Sequence, residues 1–171
     1  SAQTQGAHRH GPSSSHQLSV HFAGSQQPLS AYGLQQTPTR YNYYYGSDPA
    51  NWASDVAAYG EIILQEVYPH TDFRLYATGD QFKYDFILKP GADPSKIQLR
   101  YEGADELSML GSSLLVKTPH RELIEQEPLA YQEQTSGRKQ HVPCRYDLDG
   151  NTHRFALTES YVQEEVLVID T

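Results

Sequence analysis

From Gln17 onward apolar and polar residues alternate with a period of two, and glycine and proline interrupt the alternation at short intervals. Successive side chains of a strand point to opposite faces, so such a run suits a strand with one buried face. Leu18, Val20 and Phe22 open the pattern. The clearest hairpin runs through Phe73, Leu75 and Ala77, turns within Thr78-Gly79-Asp80-Gln81, and returns through Phe82, Tyr84 and Phe86. Gly79-Asp80 supplies the turn chemistry. Pro90-Gly91-Ala92-Asp93-Pro94-Ser95 then stops the strand, because proline cannot donate to a ladder and glycine permits positive φ.

Strand-sized segments follow in quick succession: Ile97 to Tyr101, Leu107 to Leu110, Leu114 to Lys117, Glu122 to Glu125, Leu129 to Gln132, His141 to Leu148, Arg154 to Leu157 and Val166 to Ile169. Gly111-Ser112, Pro119, Pro128, Thr135 to Arg138 and Asp149-Gly150-Asn151 separate them. This pattern predicts an all-β, antiparallel sandwich or barrel-like meander. At most one short helix is expected, near Trp52, where Asp48 could cap and Pro49 could take the first helical position. The predicted core comprises Tyr43, Trp52, Phe73, Leu75, Tyr84, Phe86, Leu99, Tyr101, Leu115, Tyr131 and Val168.

Residues 1–16 hold no large aliphatic or aromatic side chain and read as a flexible N-terminal tail, since burial cannot repay their ordering entropy. Residues 17–171 then form a single β-rich domain of ordinary size. No charged segment followed by an apolar one precedes it, so a signal peptide, if the natural protein has one, is expected to lie before this numbering begins. No apolar run approaches the roughly 20 residues of a transmembrane helix.

A formal net charge of −8 and the lack of a basic cluster argue against nucleic acid as a partner. Cys144 is the sole cysteine, so neither a disulfide framework nor a thiolate metal site can form within the chain. Beside His141 it suggests a thiolate–imidazolium couple, but a strand would point the two to opposite faces and Pro143 intervenes. His8, His10, His16 and His21 lack the converging scaffold that metal ligation needs. Asp147 to Asn151 begins like a calcium loop but has Thr158 where a bidentate Glu belongs, so it reads as a hairpin turn. Glu61, Glu66, Asp72 and Asp85 could contribute to a carboxylate pair, yet nothing in the order of residues selects two of them. No catalytic residue, cofactor or metal site is therefore assigned.

Tyrosine is the informative excess, at 13 residues. In a strand, Tyr41, Tyr43 and Tyr45 would share one face, and with Trp52 they form the candidate stacking surface for a glycan; the competing reading places that face in the core.

Several ordered fragments carry a resemblance: Tyr43-Tyr44-Tyr45-Gly46-Ser47-Asp48-Pro49 with Trp52, Val67-Tyr68-Pro69 followed by Asp72, Tyr84-Asp85-Phe86, and Pro90-Gly91-Ala92-Asp93-Pro94. Leu99-x-Tyr101-Glu102-Gly103-Ala104, Thr118-Pro119, Pro128-x-Ala130-Tyr131-Gln132-Glu133 and Val168-Ile169-Asp170 continue it. Together they resemble an uncharacterised N-terminal module of secreted Bacteroidetes-type proteins that carry SBBP β-propeller repeats or gliding-motility-associated and sorting domains. Similar sequences tend to have glycine after Pro69, where this chain has His70-Thr71; the departure argues against a glycine-dependent turn and puts His70 exposed at the tip.

The resemblance implies export by type IX secretion, an extracellular or cell-surface location, and further domains downstream in the same parent chain. It brings no catalytic residues. The expected function is a non-enzymatic structural or adhesion module, with an extracellular glycan or surface protein as partner; the alternative is a carbohydrate-binding module acting through Tyr41, Tyr43, Tyr45 and Trp52.

Overall fold

The computed structural model describes residues 18–25, 30–34, 40–43, 60–79 and 81–171. The tail, Tyr44, Tyr45, Trp52 and the short helix expected beside it lie outside the described residues, as do His8, His10 and His16.

The described chain folds into three antiparallel sheets, none of which closes into a barrel. The largest has eight strands: β2 (Ser30–Leu34), β3 (Arg40–Tyr43), β4 (Glu61–Tyr68), β5 (Thr71–Thr78), β6 (Gln81–Leu88), β11 (Leu129–Glu133), β12 (Lys139–Val142) and β15 (Leu167–Asp170). Their spatial order is β12-β11-β15-β6-β5-β4-β2-β3. A four-stranded sheet orders β1 (Ser19–Phe22), β7 (Leu99–Glu102), β14 (Thr152–Leu157) and β13 (Cys144–Asp149) as β1-β7-β14-β13. The third is a meander of β8 (Glu106–Leu110), β9 (Ser113–Lys117) and β10 (Glu122–Glu125).

One shared core makes this a sandwich. Phe73 and Phe86 of the eight-stranded sheet meet Phe22 at ring separations of 4.8 and 5.9 Å, and Phe86 meets Phe155 at 5.8 Å. Phe22 and Phe155 belong to the four-stranded sheet, so aromatic edges fill the gap between the two layers. Leu107, Leu114 and Val116 of the meander join the same buried cluster.

Local chemistry explains the hairpins. The β5–β6 register pairs Phe73 with Phe86 and Leu75 with Tyr84, and closes at Thr78 opposite Gln81. Gly79 takes φ +63° there, as the turn requires. After β6, Asp93 accepts a hydrogen bond from the Ser95 amide at 3.0 Å and caps the one described helical turn, Pro94–Lys96, with Pro94 opening it. The Asp149-Gly150-Asn151 segment is the predicted hairpin turn, with Asp149 paired to Thr152.

Two expectations need correction. The segment from His141 to Leu148 is two strands, because Pro143 ends β12 and the chain passes to β13 in a different sheet. Leu115, Tyr131 and Val168 are half-buried on outer faces rather than in the core. Their neighbours Leu114 and Val116, Ala130, and Leu167 and Ile169 are buried in their place. In runs such as Leu114-Leu115-Val116 and Leu167-Val168-Ile169 both faces are apolar, so alternation cannot choose between them.

At the β4–β5 turn, Tyr68 pairs with Thr71 across Pro69-His70. His70 takes φ +57° and is exposed, so the glycine-type turn forms although no glycine is there.

Candidate functional site

Tyrosine is suited to a junction between sheets because its ring can fill a core while its hydroxyl reaches a polar group at the far side. Four buried or partly buried tyrosines do this. The Tyr68 hydroxyl of β4 lies 3.0 Å from the carbonyls of Ala23 and of Gln98, which flank β1 and β7, and accepts the Gln98 amide at 3.2 Å. The Tyr146 hydroxyl of β13 donates to the Gln126 carbonyl, just past β10, at 2.6 Å.

The other two converge on one carboxylate. Tyr101 of β7 donates to Glu125 Oε1 at 2.6 Å, and Tyr84 of β6 donates to Glu125 Oε2 at 3.2 Å. Glu125 stands on β10, so a single side chain ties all three sheets together. Register explains why it faces inward: Glu125 pairs with Leu114, and Leu123 with Val116, on the core side of the meander. Burial pushes the Glu125 carboxyl above its ordinary value against the pull of the two hydroxyls. Burial likewise raises the Tyr84 and Tyr101 phenols well above theirs, so both remain protonated donors.

His153 of β14 completes the cluster. It is 1% exposed, packed against Tyr101, Tyr146 and Phe155 at ring separations of 5.1 to 5.6 Å. Its Nε2 lies 3.4 Å from the Tyr101 hydroxyl and 4.0 Å from Glu125 Oε2. Burial lowers its pKa to about 4, so the imidazole is neutral near neutrality and its contact with Glu125 is not an ion pair. With Tyr101 donating to Glu125, the Tyr101 oxygen can accept only from the Nε2–H tautomer of His153. Nδ1 is buried and meets no partner at full hydrogen-bond geometry among the described residues, while the Arg154 backbone pulls weakly toward the protonated ring against the larger effect of burial. The set holds hydrogen bonds in a chain from imidazole to phenol to carboxylate, an arrangement that rigidifies a core.

The four acidic residues named from the sequence sort into two further clusters. Arg74 of β5 pairs with Glu61 at 2.8 Å and with Asp85 at 3.2 Å. Lys89 pairs with Glu66 at 2.9 Å and with Asp72 at 3.4 Å. The second cluster holds a bulge: Glu66, at φ +56°, donates its amide to Asp72 at 3.0 Å and its carboxylate accepts the His70 amide at 2.8 Å. Among the described residues no three His, Cys, Asp or Glu side chains gather as a metal site.

Cys144 and His141 lie on separate sheets and line a cavity of about 280 Å³ together with Glu127, Leu129, Pro143 and Glu159. Burial pushes the Cys144 thiol up to about 12, which removes the thiolate a nucleophile needs. His21 lies 2.8 Å from Glu102 across the β1–β7 pair. Of the candidate stacking residues, Tyr41 and Tyr43 fall in β3, paired in register with Gly33 and Ala31 of β2. Their side chains, like Tyr45 and Trp52, lie outside the described residues.

Glu125 and His153 were missed by sequence reasoning. The available signal was phase: Glu125 follows Leu123 at the inward spacing of its strand, where a charged residue is out of place unless partnered.

Residues 1–170 match the model of a family described as a domain of unknown function, DUF7948. No curated protein and no solved structure matches the chain.

Proposed function

Since the chain belongs to the DUF7948 family, a domain of unknown function, and one glutamate links all three of its sheets, we propose a non-enzymatic structural or adhesion module. It serves in a large secreted or cell-surface bacterial protein of the SBBP-repeat or gliding-motility-associated kind, beside further domains of the same parent. The observation that carries this reading is the Glu125 carboxylate, which accepts hydrogen bonds from Tyr84 and Tyr101 of the two other sheets. Such cross-sheet bonds make a spacer that holds its shape while its loops remain free to contact a glycan or a surface protein.

Two measurements test the proposal. Protease added to intact cells of the source organism should cleave the exported module; full protection in unlysed cells overturns the surface location. The intact chain, incubated with extracellular polysaccharides, should release no sugar product. Turnover abolished by Glu125→Gln would make the junction catalytic and overturn the non-enzymatic reading. Retention on a glycan without turnover favours the carbohydrate-binding form of the module, to be assigned by substituting Tyr41, Tyr43, Tyr45 and Trp52.

A further inference from the structure

The outer face of the eight-stranded sheet holds an arrangement that the junction does not use. Register sets Arg74, Asp85 and Asp170 side by side on β5, β6 and β15. Asp85 is only 6% exposed, and its Oδ2 lies 3.2 Å from Arg74. Its Oδ1, and Oδ1 of Asp170 on the adjacent strand, are both buried with no hydrogen-bond donor among the described residues. Like charges directly opposite each other in neighbouring strands destabilise a sheet, and a buried acceptor without a donor adds its own desolvation penalty. One proton removes both penalties at once, by turning one carboxyl into the donor for the other.

The surrounding charges favour that proton. Glu61 from β4, Arg74 and Tyr76 from β5, Asp170 from β15 and Tyr131 from β11 share the face with Asp85, as does Lys83 on β6 itself. Arg74 divides its charge between Glu61 and Asp85, so one guanidinium stands against three carboxyl groups.

We infer that Asp85 and Asp170 share a single proton and so form an acid-closed clasp across the β6–β15 seam. The seam joins the β12-β11-β15 part of the sheet to the remaining five strands, so its strength governs whether the sheet behaves as one piece. Burial, with repulsion from Asp170 and hydrogen bonding to it, pushes Asp85 up to about 6 against the pull of Arg74, which sets the range in which the clasp opens. Above that range two like charges face each other across the seam, Asp85 buried and Asp170 partly so; below it the proton holds the strands together. The inference rests on the dyad's own geometry and stands whether or not the module is an adhesin.

The experiment is a comparison of the full chain with Asp170→Asn, whose amide can donate to Asp85 at every pH, by thermal unfolding from about pH 8 to about pH 5. Over that range the wild-type chain should gain on the variant by about 10-fold in its folding equilibrium, because pH 5 lies one unit below the raised value of about 6 and still above the ordinary value of 3.8. Taking the difference between the two chains cancels the titration of Glu125 and the histidines. A difference independent of pH overturns the clasp. Carboxyl-carbon NMR of the wild-type chain gives a readout that survives a misfolded variant: a coupled step near pH 6 supports the shared proton, and two independent steps near pH 4 overturn it. Calcium chloride at millimolar concentration and about pH 8 provides the remaining arm. A rise in the wild-type midpoint that Asp170→Asn abolishes makes the pair a cation site and overturns the proton reading.

Discussion

Tyr101 donates a 2.6 Å hydrogen bond to Glu125, the shorter of the two that Glu125 accepts from tyrosines of the other sheets. Removing the hydroxyl deprives a partly buried carboxylate of a donor and His153 of its acceptor at the same time. Tyr101→Phe is therefore expected to cost about 1 to 3 kcal/mol in urea unfolding, whereas Tyr84→Phe, whose bond is longer, costs less. A double-mutant cycle between Tyr101→Phe and Glu125→Gln should show coupling of at least about 0.5 kcal/mol. Additive effects would mean that the 2.6 Å contact carries no weight in the folded state.

The phase of β9 supplies a second test. Leu114 is fully buried and Leu115, the next residue, is half-buried on the outer face of the meander. Leu114→Ala should cost about 2 to 5 kcal/mol, and Leu115→Ala distinctly less. Phe86→Ala, which removes a ring packed against Phe22, Phe73, Tyr84 and Phe155, belongs with Leu114 at about 3 to 5 kcal/mol. Equal losses at Leu114 and Leu115 would put both faces of β9 in contact with protein.

That pair also shows where legibility ends. The β5–β6 hairpin could be read directly, because Phe73, Leu75, Tyr84 and Phe86 alternate with polar residues and Gly79 marks the turn. Local contrast of that kind fixes both the strand and its face. Leu114-Leu115-Val116 offers no contrast, and the choice of face is made by a distant partner, the core under the meander. Pro143 was readable as an obstacle to a couple between His141 and Cys144, yet its role as the point where the chain changes sheets depends on which strands β12 and β13 find. The junction is less legible still. Tyr84, Tyr101, Glu125 and His153 come from four strands in three sheets, and only strand order brings them together. The tyrosine excess pointed to aromatic packing; it did not reveal that four of the hydroxyls would serve as ties between sheets.

His70 offers a test of backbone strain. It occupies a left-handed conformation, φ +57°, at an exposed turn position where glycine carries no Cβ penalty. Its ring lies over Gly91, where an added Cβ would meet the ring at 3.4 Å, an ordinary contact distance. His70→Gly should stabilise the chain by up to about 1 kcal/mol, since relief of the φ penalty outweighs the loss of one exposed ring contact. His70→Ala keeps the strain, loses the contact and should be neutral or destabilising. A loss of stability in His70→Gly as large as that in His70→Ala would show that the ring contact, and not the φ value, governs this turn.

The buried imidazole sets how the core responds to acid. His153 is lowered from 6.5 to about 4 by burial, so the folded chain binds its proton more weakly than the unfolded chain does. Stability tied to the neutral ring is therefore fully present above about pH 6.5 and is lost as the pH falls through about 4, by about 3 kcal/mol at full protonation. This sense is opposite to that of Asp85, whose raised pKa adds stability on acidification, so the two effects can be separated by variant. His153→Leu removes the titrating ring together with its unpartnered Nδ1, at the cost of the contact with Tyr101. Near pH 8 it should be less stable than the wild-type chain. Between about pH 6.5 and pH 4 the gap should close, because only the wild-type chain must pay to charge a buried imidazole. Urea unfolding at several pH values measures that gap, and parallel stability curves for the two proteins would show that His153 does not carry the acid sensitivity of the core.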